Sequence, residues 1–301
     1  MHKNYFLTLL GVLLAGVAVG QVRKQFAVEN TDACESIKLH IKANSGNCYI
    51  KPSQNADILN VFSNQSEEAF SHNFVKTING KVCEVKLSLE ELNQEGFSQS
   101  ISSRVFSASE TNVRVSASGG QKFWKMYLSD GKPYALEMNY GFGNANVDLS
   151  GLSIKKLKIN SGSADVNVSY LSGIENQVEM DTFYVKVDLG SVDVKNLSLA
   201  KSRYLLADVG FGNMSLDFSE TPSVSNTIKG SVGAGNLLIT LPKTDTPILV
   251  KIHDSWLCSV KIPAGFKKIA ENTFASATYT QDSKVALTFD LDVSMGSITF
   301  R

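Results

Sequence analysis

The stretch Gly210-Phe211-Gly212-Asn213-Met214-Ser215-Leu216, answered by Gly233-Ala234-Gly235-Asn236-Leu237-Leu238-Ile239, decides how this chain is read. Each copy holds Gly, then Asn or Ser, then a run that alternates apolar, mostly polar, apolar. Side chains on a strand point to opposite faces in turn, so the apolar residues of the unit share one face. Gly supplies a turn that a Cβ would obstruct, and Asn or Ser hydrogen-bonds backbone there. The unit also occurs at Gly46-Asn47-Cys48, Gly143-Asn144-Ala145, Gly162-Ser163-Ala164, Gly190-Ser191-Val192 and Gly296-Ser297-Ile298. From Gly143 to Gly235 the copies lie 19, 28, 22 and 23 residues apart. A weaker copy without Gly, Leu257-Cys258-Ser259-Val260, falls in the long gap before Gly296.

Units of this length recur when supersecondary pieces stack, because one piece cannot bury its apolar face alone. The expectation is an all-β chain, a β-solenoid built as a β-helix-like stack of short rungs. A β-sandwich of evenly spaced hairpins is the alternative that also gives regular turns. Alternation continues through Val285-Ala286-Leu287-Thr288-Phe289-Asp290-Leu291-Asp292-Val293, and no helical period is sustained beyond Gln121.

The segment Asn60–Lys122 breaks the pattern. Asn79-Gly80 between Val75–Ile78 and Lys81–Leu87 reads as a hairpin, and Asp130-Gly131 between Tyr127-Leu128 and Tyr134–Leu136 as another. Ser66–Phe70 and Ser88–Leu92 read as short helical turns, the second opening like a capping box. The chain therefore divides as 1–20, an export signal; 21–120, an irregular N-terminal β portion; and 121–301, the solenoid.

The export signal rests on Met1-His2-Lys3, the apolar run Tyr5–Val19 and the small exit Ala18-Val19-Gly20, with Arg23 and Lys24 closing the run. Cleavage after Gly20 leaves no apolar span of bilayer length. Location in the periplasm or at the cell surface follows. Lys plus Arg and Asp plus Glu number 29 each, so the net charge of zero argues against nucleic acid as a partner and against strong attraction to anionic lipid. Four cysteines, Cys34, Cys48, Cys83 and Cys258, permit two disulfides in three pairings in an exported chain. Cys48 and Cys258 sit at inward repeat positions, where a buried thiol is as reasonable as a bridge.

From Leu149-Ser150-Gly151-Leu152 through Leu157–Val166, the chain resembles the toast-rack domain of LiaF-like cell-wall-stress proteins. Gly233–Leu237 with Leu241-Pro242 and Ile248–Ile252, and the terminal Met295–Thr299, are similar to later rungs of that family. The stretch Ile37–Ile50 resembles the related putative-adhesin repeat domains. The resemblance spans Tyr134–Arg301 and the first rung. It implies a β-solenoid outside the cytoplasm with a regulatory, scaffolding or adhesive role, and it carries no catalytic residues. The helical membrane region of the LiaF type has no counterpart here, which removes the basis for a signalling role of that type.

Chemistry-bearing motifs are sparse. Gly-x-Gly-Asn at Gly141, Gly210 and Gly233 lacks the third Gly and the helix of a dinucleotide site, so these read as turn glycines. No Gly-x-Ser-x-Gly elbow occurs. Carboxylates form the one constellation. Asp165 and Asp193 share an outward slot in successive Gly units, with Asp188 near and Asp148 and Asp217 two residues further on. Directly stacked, Asp165 and Asp193 would lie about 4.8 Å apart and either raise one pKa or attract Ca²⁺. The common reading of such acids is a solvated face, and no cofactor is expected.

The function expected is non-enzymatic: binding, scaffolding or adhesion at the envelope, toward a protein or glycan. A Ca²⁺-assisted or acid/base enzyme on envelope polysaccharide through Asp165, Asp188 and Asp193 is the alternative, and an accessory sensor of envelope stress a third. Because Gly296–Arg301 ends the chain in a strand, edge-to-edge homodimerisation is also expected to be open to it.

Overall fold

The computed structural model describes residues 23–64, 70–91, 123–171 and 173–301. The expected export signal, the Ser-rich stretch 98–103 that reads as a loop, and most of the expected helical turn at Ser66–Phe70 lie outside the described residues; Phe70 itself begins a strand.

The strands are β1 (Arg23–Val28), β2 (Ser36–Ala43), β3 (Asn47–Ser53), β4 (Leu59–Ser63), β5 (Phe70–Asn79), β6 (Val82–Glu91), β7 (Phe123–Ser129), β8 (Tyr134–Tyr140) and β9 (Asn144–Asp148). They continue as β10 (Ile154–Ser161), β11 (Asp165–Ser169), β12 (Met180–Val187), β13 (Ser191–Lys195), β14 (Ser202–Val209), β15 (Asn213–Asp217), β16 (Asn226–Val232) and β17 (Asn236–Thr240). The last are β18 (Ile248–Asp254), β19 (Ser259–Lys261), β20 (Lys267–Ala270), β21 (Thr273–Ala275), β22 (Leu287–Val293) and β23 (Ser297–Phe300).

Each repeat unit supplies one strand to each of two facing sheets, one of 11 and one of 12 strands. β8 turns into β9, β10 into β11, and so on through β16 and β17, with parallel pairing from rung to rung. The chain is a β-solenoid. Strand alternation fixes which residues enter it: Tyr134, Leu136, Met138 and Tyr140 are buried while the residues between them are half-exposed. In register the inward positions form columns, such as Cys48, Ala145, Val166, Val192, Met214, Leu237 and Ile298 in the smaller sheet. A single apolar core from Val28 to Phe300 results.

Close approach between rungs requires the unit's glycine at Gly143, Gly190, Gly212, Gly235 and Gly296, whereas Gly46 is set by its positive φ of 97°. A Cβ on Gly212 would stand 2.4 Å from the carbonyl oxygen of Gly190, and one on Gly235 2.2 Å from that of Gly212. The following polar residue forms a ladder between rungs. The Asn144 amide donates to Asn47 at 3.2 Å, Asn236 to Asn213 at 2.8 Å, and the Ser297 hydroxyl to Asn236 at 2.7 Å.

At both ends the rungs do not follow chain order. The β2/β3 rung lies between β8/β9 and the outer strands β6 and β7. The β22/β23 rung likewise lies between β16/β17 and β18/β19. Antiparallel strands then cover the ends: β5 on β6, β4 and β1 beyond β7, and β21 on β18. Such cover blunts the open edges that a solenoid otherwise offers.

Several sequence expectations are corrected by this arrangement. The boundary near Gln121 separates no packing units among the described residues, since β2 and β3 sit inside the stack next to β8 and β9. Asp130-Gly131 joins β7 and β8, which belong to different sheets, so it is a corner and not a hairpin. Ser88–Glu91 is strand, because pairing with β2 and β5 overrides the local capping-box pattern. The Asn79-Gly80 hairpin forms, with Asn79 opposite Val82, so that Gly80 and Lys81 make the turn. The weak copy at Leu257–Val260 stacks outside the Gly296 rung. Gly296–Arg301 is not an edge: β23 is flanked by β17 and β19.

Candidate functional site

Register decides the fate of the acidic ladder. Asp165 stands opposite Asn144 on one side and Ser191 on the other, while Asp193 stands opposite Asn167 and Ser215. Ala164 therefore occupies the slot filled by Gly190 on the next rung, and the Gly162 unit is displaced by two residues from its neighbours. Asp165 and Asp193 are not stacked. The Asp165 carboxylate accepts from the Ser191 hydroxyl at 2.7 Å, Asp193 pairs with Lys195 at 3.6 Å, and Asp188 pairs with Lys186 at 3.0 Å. Asp148 and Asp217 accept from the backbone N–H groups of Ser150 and Ser219, as acids near turns commonly do. Among the described residues no three His, Cys, Asp or Glu converge on one point.

Cys34 and Cys83 form a disulfide that ties the chain before β2 to β6. Cys48 is a buried free thiol whose pKa burial pushes up to about 12, and Cys258 is a half-buried free thiol. Trp124 is in the core; Trp256 is 90% exposed.

A concave feature lies on the outer face of the 12-stranded sheet, where it turns toward β3, β9 and β11. A cleft of about 1010 Å³ is lined by Lys42 and Asn44 from the β2 end, Asn139 and Phe142 from the β8 end, Lys158, Asn160 and Ser163 around β10, and Tyr184, Lys186, Asp188 and Leu206 from β12 and β14. These come together because outward residues of successive rungs share columns. Lys42, Asn139, Asn160, Lys186 and Asp208 stand in one file, and Lys158, Tyr184 and Leu206 in the next.

The floor is polar and ordered. The Asn160 amide donates to Asn139 at 2.6 Å, and the Tyr184 hydroxyl donates to Asp208 at 2.9 Å. Burial first, then the Asp208 carboxylate, pushes the Tyr184 phenol up to about 12, so it is a neutral donor at physiological pH. Lys158 lies 3.0 Å from Glu137 and, through that hydrogen bond first, holds the Glu137 carboxyl below its usual range. Beside the cleft, His40 bridges Glu137 at 3.1 Å and Glu84 at 3.3 Å. Burial would raise Glu84, but Lys86 and Lys38 outweigh it and hold its carboxyl low. Lys42, Lys158 and Lys186 line the cleft with Asp188, and each lysine has a carboxylate beside it, Glu90 at 3.9 Å, Glu137 at 3.0 Å and Asp188 at 3.0 Å, partners that an acidic ligand would replace. Amides, a phenol and ammonium groups on a shallow floor suit a polar, negatively charged ligand.

Sequence reasoning missed this cleft. The signal was present in Leu157-Lys158-Ile159 and Val185-Lys186-Val187, whose outward lysines fall on adjacent rungs.

The model of the family described as the N-terminal domain of toast_rack, DUF2154, matches residues 18–182, more than half of the chain. The chain belongs to the toast-rack family. The match takes in the segment Asn60–Lys122 as well as Tyr134–Asp181, whereas the sequence resemblance was drawn mainly over Tyr134–Arg301. Among solved structures, this toast-rack chain is similar to a "putative cell adhesion protein" from Clostridium sporogenes, at 16% identity and a TM-score of 0.44, covering 93% of this chain and 98% of that one. It is also similar to a "putative adhesin" from Bacteroides fragilis, at 11% identity and a TM-score of 0.32, covering 93% and 96%. A third is a "putative lipid binding protein" from Parabacteroides distasonis, at 12% identity and a TM-score of 0.40, covering 93% and 96%. At these scores none of them carries an argument about function. No curated protein matches the chain. Among the described residues no helix is long and apolar enough to cross a membrane.

Proposed function

We propose that the chain is an exported, non-enzymatic binding or scaffolding protein of the periplasm or cell surface, and that its outer-face cleft takes an acidic glycan of the envelope. The observation that carries this reading is the cleft itself: Lys42, Lys158 and Lys186 rise around an Asn139–Asn160 floor with Tyr184 at the wall. Rigid strands hold every one of these side chains, so little ordering is required on binding. The three lysines stand on β2, β10 and β12, so an extended polymer laid across the rungs would meet each in turn.

Titration calorimetry with polygalacturonate, and with neutral dextran as the control, tests the proposal. Polygalacturonate binding that weakens at least tenfold in Lys186→Glu or Asn160→Ala, and that weakens with salt, supports the cleft. Equal binding of both polymers, or none of either, removes it.

A further inference from the structure

The outer face of the 11-stranded sheet carries mostly small and polar residues and changes character at one end. In the file that runs through Asn146, Asn167, Asp193, Ser215, Leu238 and Thr299 no side chain is aromatic. Beyond Asn146 the same file continues as Tyr49, Lys125 and Phe62, on β3, β7 and β4. Phe123 and Tyr127 stand either side of Lys125 along β7, and Lys51 stands opposite Tyr127. Strand alternation turns all six outward, since Cys48, Ile50, Trp124, Met126 and Val61 between them are buried. The rings pack edge to face, Tyr49 on Phe123 at 6.4 Å between centroids and Phe62 on Tyr127 at 5.6 Å. A groove of about 380 Å³ opens there, walled by Tyr49, Phe123 and Tyr127 with Lys51 and Lys125. The Lys125 ammonium lies 4.6 Å from the centre of the Phe123 ring. Among the described residues neither Lys51 nor Lys125 forms an ion pair. Asp148, which follows Val147 opposite Ile50, is taken up by the N–H and hydroxyl of Ser150.

We infer that this groove binds a short acidic saccharide, a uronate disaccharide, with sugar C–H groups against the rings and a carboxylate at Lys51 and Lys125. Aromatic pairs alone would be ordinary cross-strand packing. Here they alternate with ammonium groups that have no acid to neutralise them, around a groove. The ring holds Lys125 in place by cation–π attraction without cancelling its charge, so the charge is left for an anion. Sugar C–H groups carry partial positive charge and suit the negative face of an aromatic ring. Asn146, exposed and next to Tyr49 in the file, offers an amide to sugar hydroxyls. The volume falls at the small end of the range of about 300–1,000 Å³ for small-ligand sites. Single-stranded nucleic acid takes a groove that tracks about 4–16 nucleotides, more than this site and two lysines supply. The groove lies on the other sheet from the cleft, and the inference does not rest on the cleft reading.

Titration of the protein with digalacturonate tests it, followed by calorimetry and by the ring NMR signals of Tyr49, Phe123 and Tyr127. Methyl galactoside is the neutral control and a thymidine octanucleotide the nucleic-acid control. Digalacturonate is expected to bind and to shift all three ring signals. Lys51→Gln with Lys125→Gln should weaken binding at least tenfold, and so should Tyr49→Leu with Tyr127→Leu. Lys51 is exposed, so Lys51→Gln alone should weaken binding at least threefold with the melting point unmoved. Lys186→Glu, in the cleft, should leave digalacturonate binding unchanged. No binding of digalacturonate, equal binding of methyl galactoside, or tighter binding of the octanucleotide overturns the proposal. Loss of binding in Lys186→Glu with none in the Lys51 and Lys125 variant also overturns it, since the sugar would then sit in the cleft. The disaccharide reads the groove and the polymer the cleft, so failure of polygalacturonate binding alone dismisses only the cleft reading.

Discussion

Asp165 and Ser191 stand directly opposite each other on adjacent rungs, and the serine hydroxyl donates to the carboxylate at 2.7 Å. The acid thus occupies a position that Asn144, Asn213 and Asn236 fill on other rungs, where amides make the same kind of bond. Asp165→Asn is expected to change stability by less than about 0.5 kcal/mol, and Asp165→Leu to cost about 1 kcal/mol for the lost bond. Thermal melting checks both. In the same assay Ca²⁺ should produce no shift that Asp165→Asn or Asp193→Asn abolishes; such a shift would restore the acids as a cation site.

The turn glycines separate two effects that sequence alone merges. Gly212→Ala places a methyl 2.4 Å from the Gly190 carbonyl oxygen, so rungs must part, and a loss on the order of 2–4 kcal/mol is expected. Gly131→Ala meets nothing closer than the Ser129 hydroxyl at 3.7 Å and should be neutral within about 0.5 kcal/mol. Denaturant melts of the two variants make the comparison, and equal losses would argue against tight rung contact at Gly212.

The disulfide between Cys34 and Cys83 closes a sequence separation of 49 residues at the outer strand β6. Chain-entropy arguments give such a loop about 4 kcal/mol. Cys34→Ser with Cys83→Ser should lower the denaturation midpoint accordingly, while Cys258→Ser, at a half-buried free thiol, should not.

Alkaline stability should follow Cys48. The folded thiol holds its proton up to about 12, against an ordinary value of 9.0, because burial disfavours the thiolate. Above pH 9 the unfolded chain therefore binds fewer protons than the folded one, and stability falls as pH rises toward 12. Cys48→Ala should flatten that limb between pH 9 and the onset of tyrosine ionisation, even though the cavity lowers stability at every pH. An unchanged slope would mean that the thiol is solvated.

Much of the architecture is legible in the Gly-Asn units, because alternation and close approach both act over a few residues. The register at Gly162 is not. Gly162-Ser163-Ala164-Asp165 looks like its neighbours, yet Ala164 takes the glycine slot opposite Gly190, a choice made by the rungs on either side. The rung order at the ends is equally hidden, since nothing local in Gly296–Phe300 says that β19 will cover β23. Phe211 stands inside Gly210-Phe211-Gly212 in the sequence, but only rung pairing aligns it with Leu189 and Met295. The cleft residues are outward positions on successive rungs, and only register brings Lys42, Asn139, Asn160 and Lys186 together.

The most direct measurement is backbone hydrogen exchange of the protein with and without polygalacturonate. The account predicts added protection around residues 42–45, 139–142, 158–163 and 184–188, which line the cleft, with β18 to β21 unchanged. Protection confined to other surfaces, or none at saturating polymer, would contradict it.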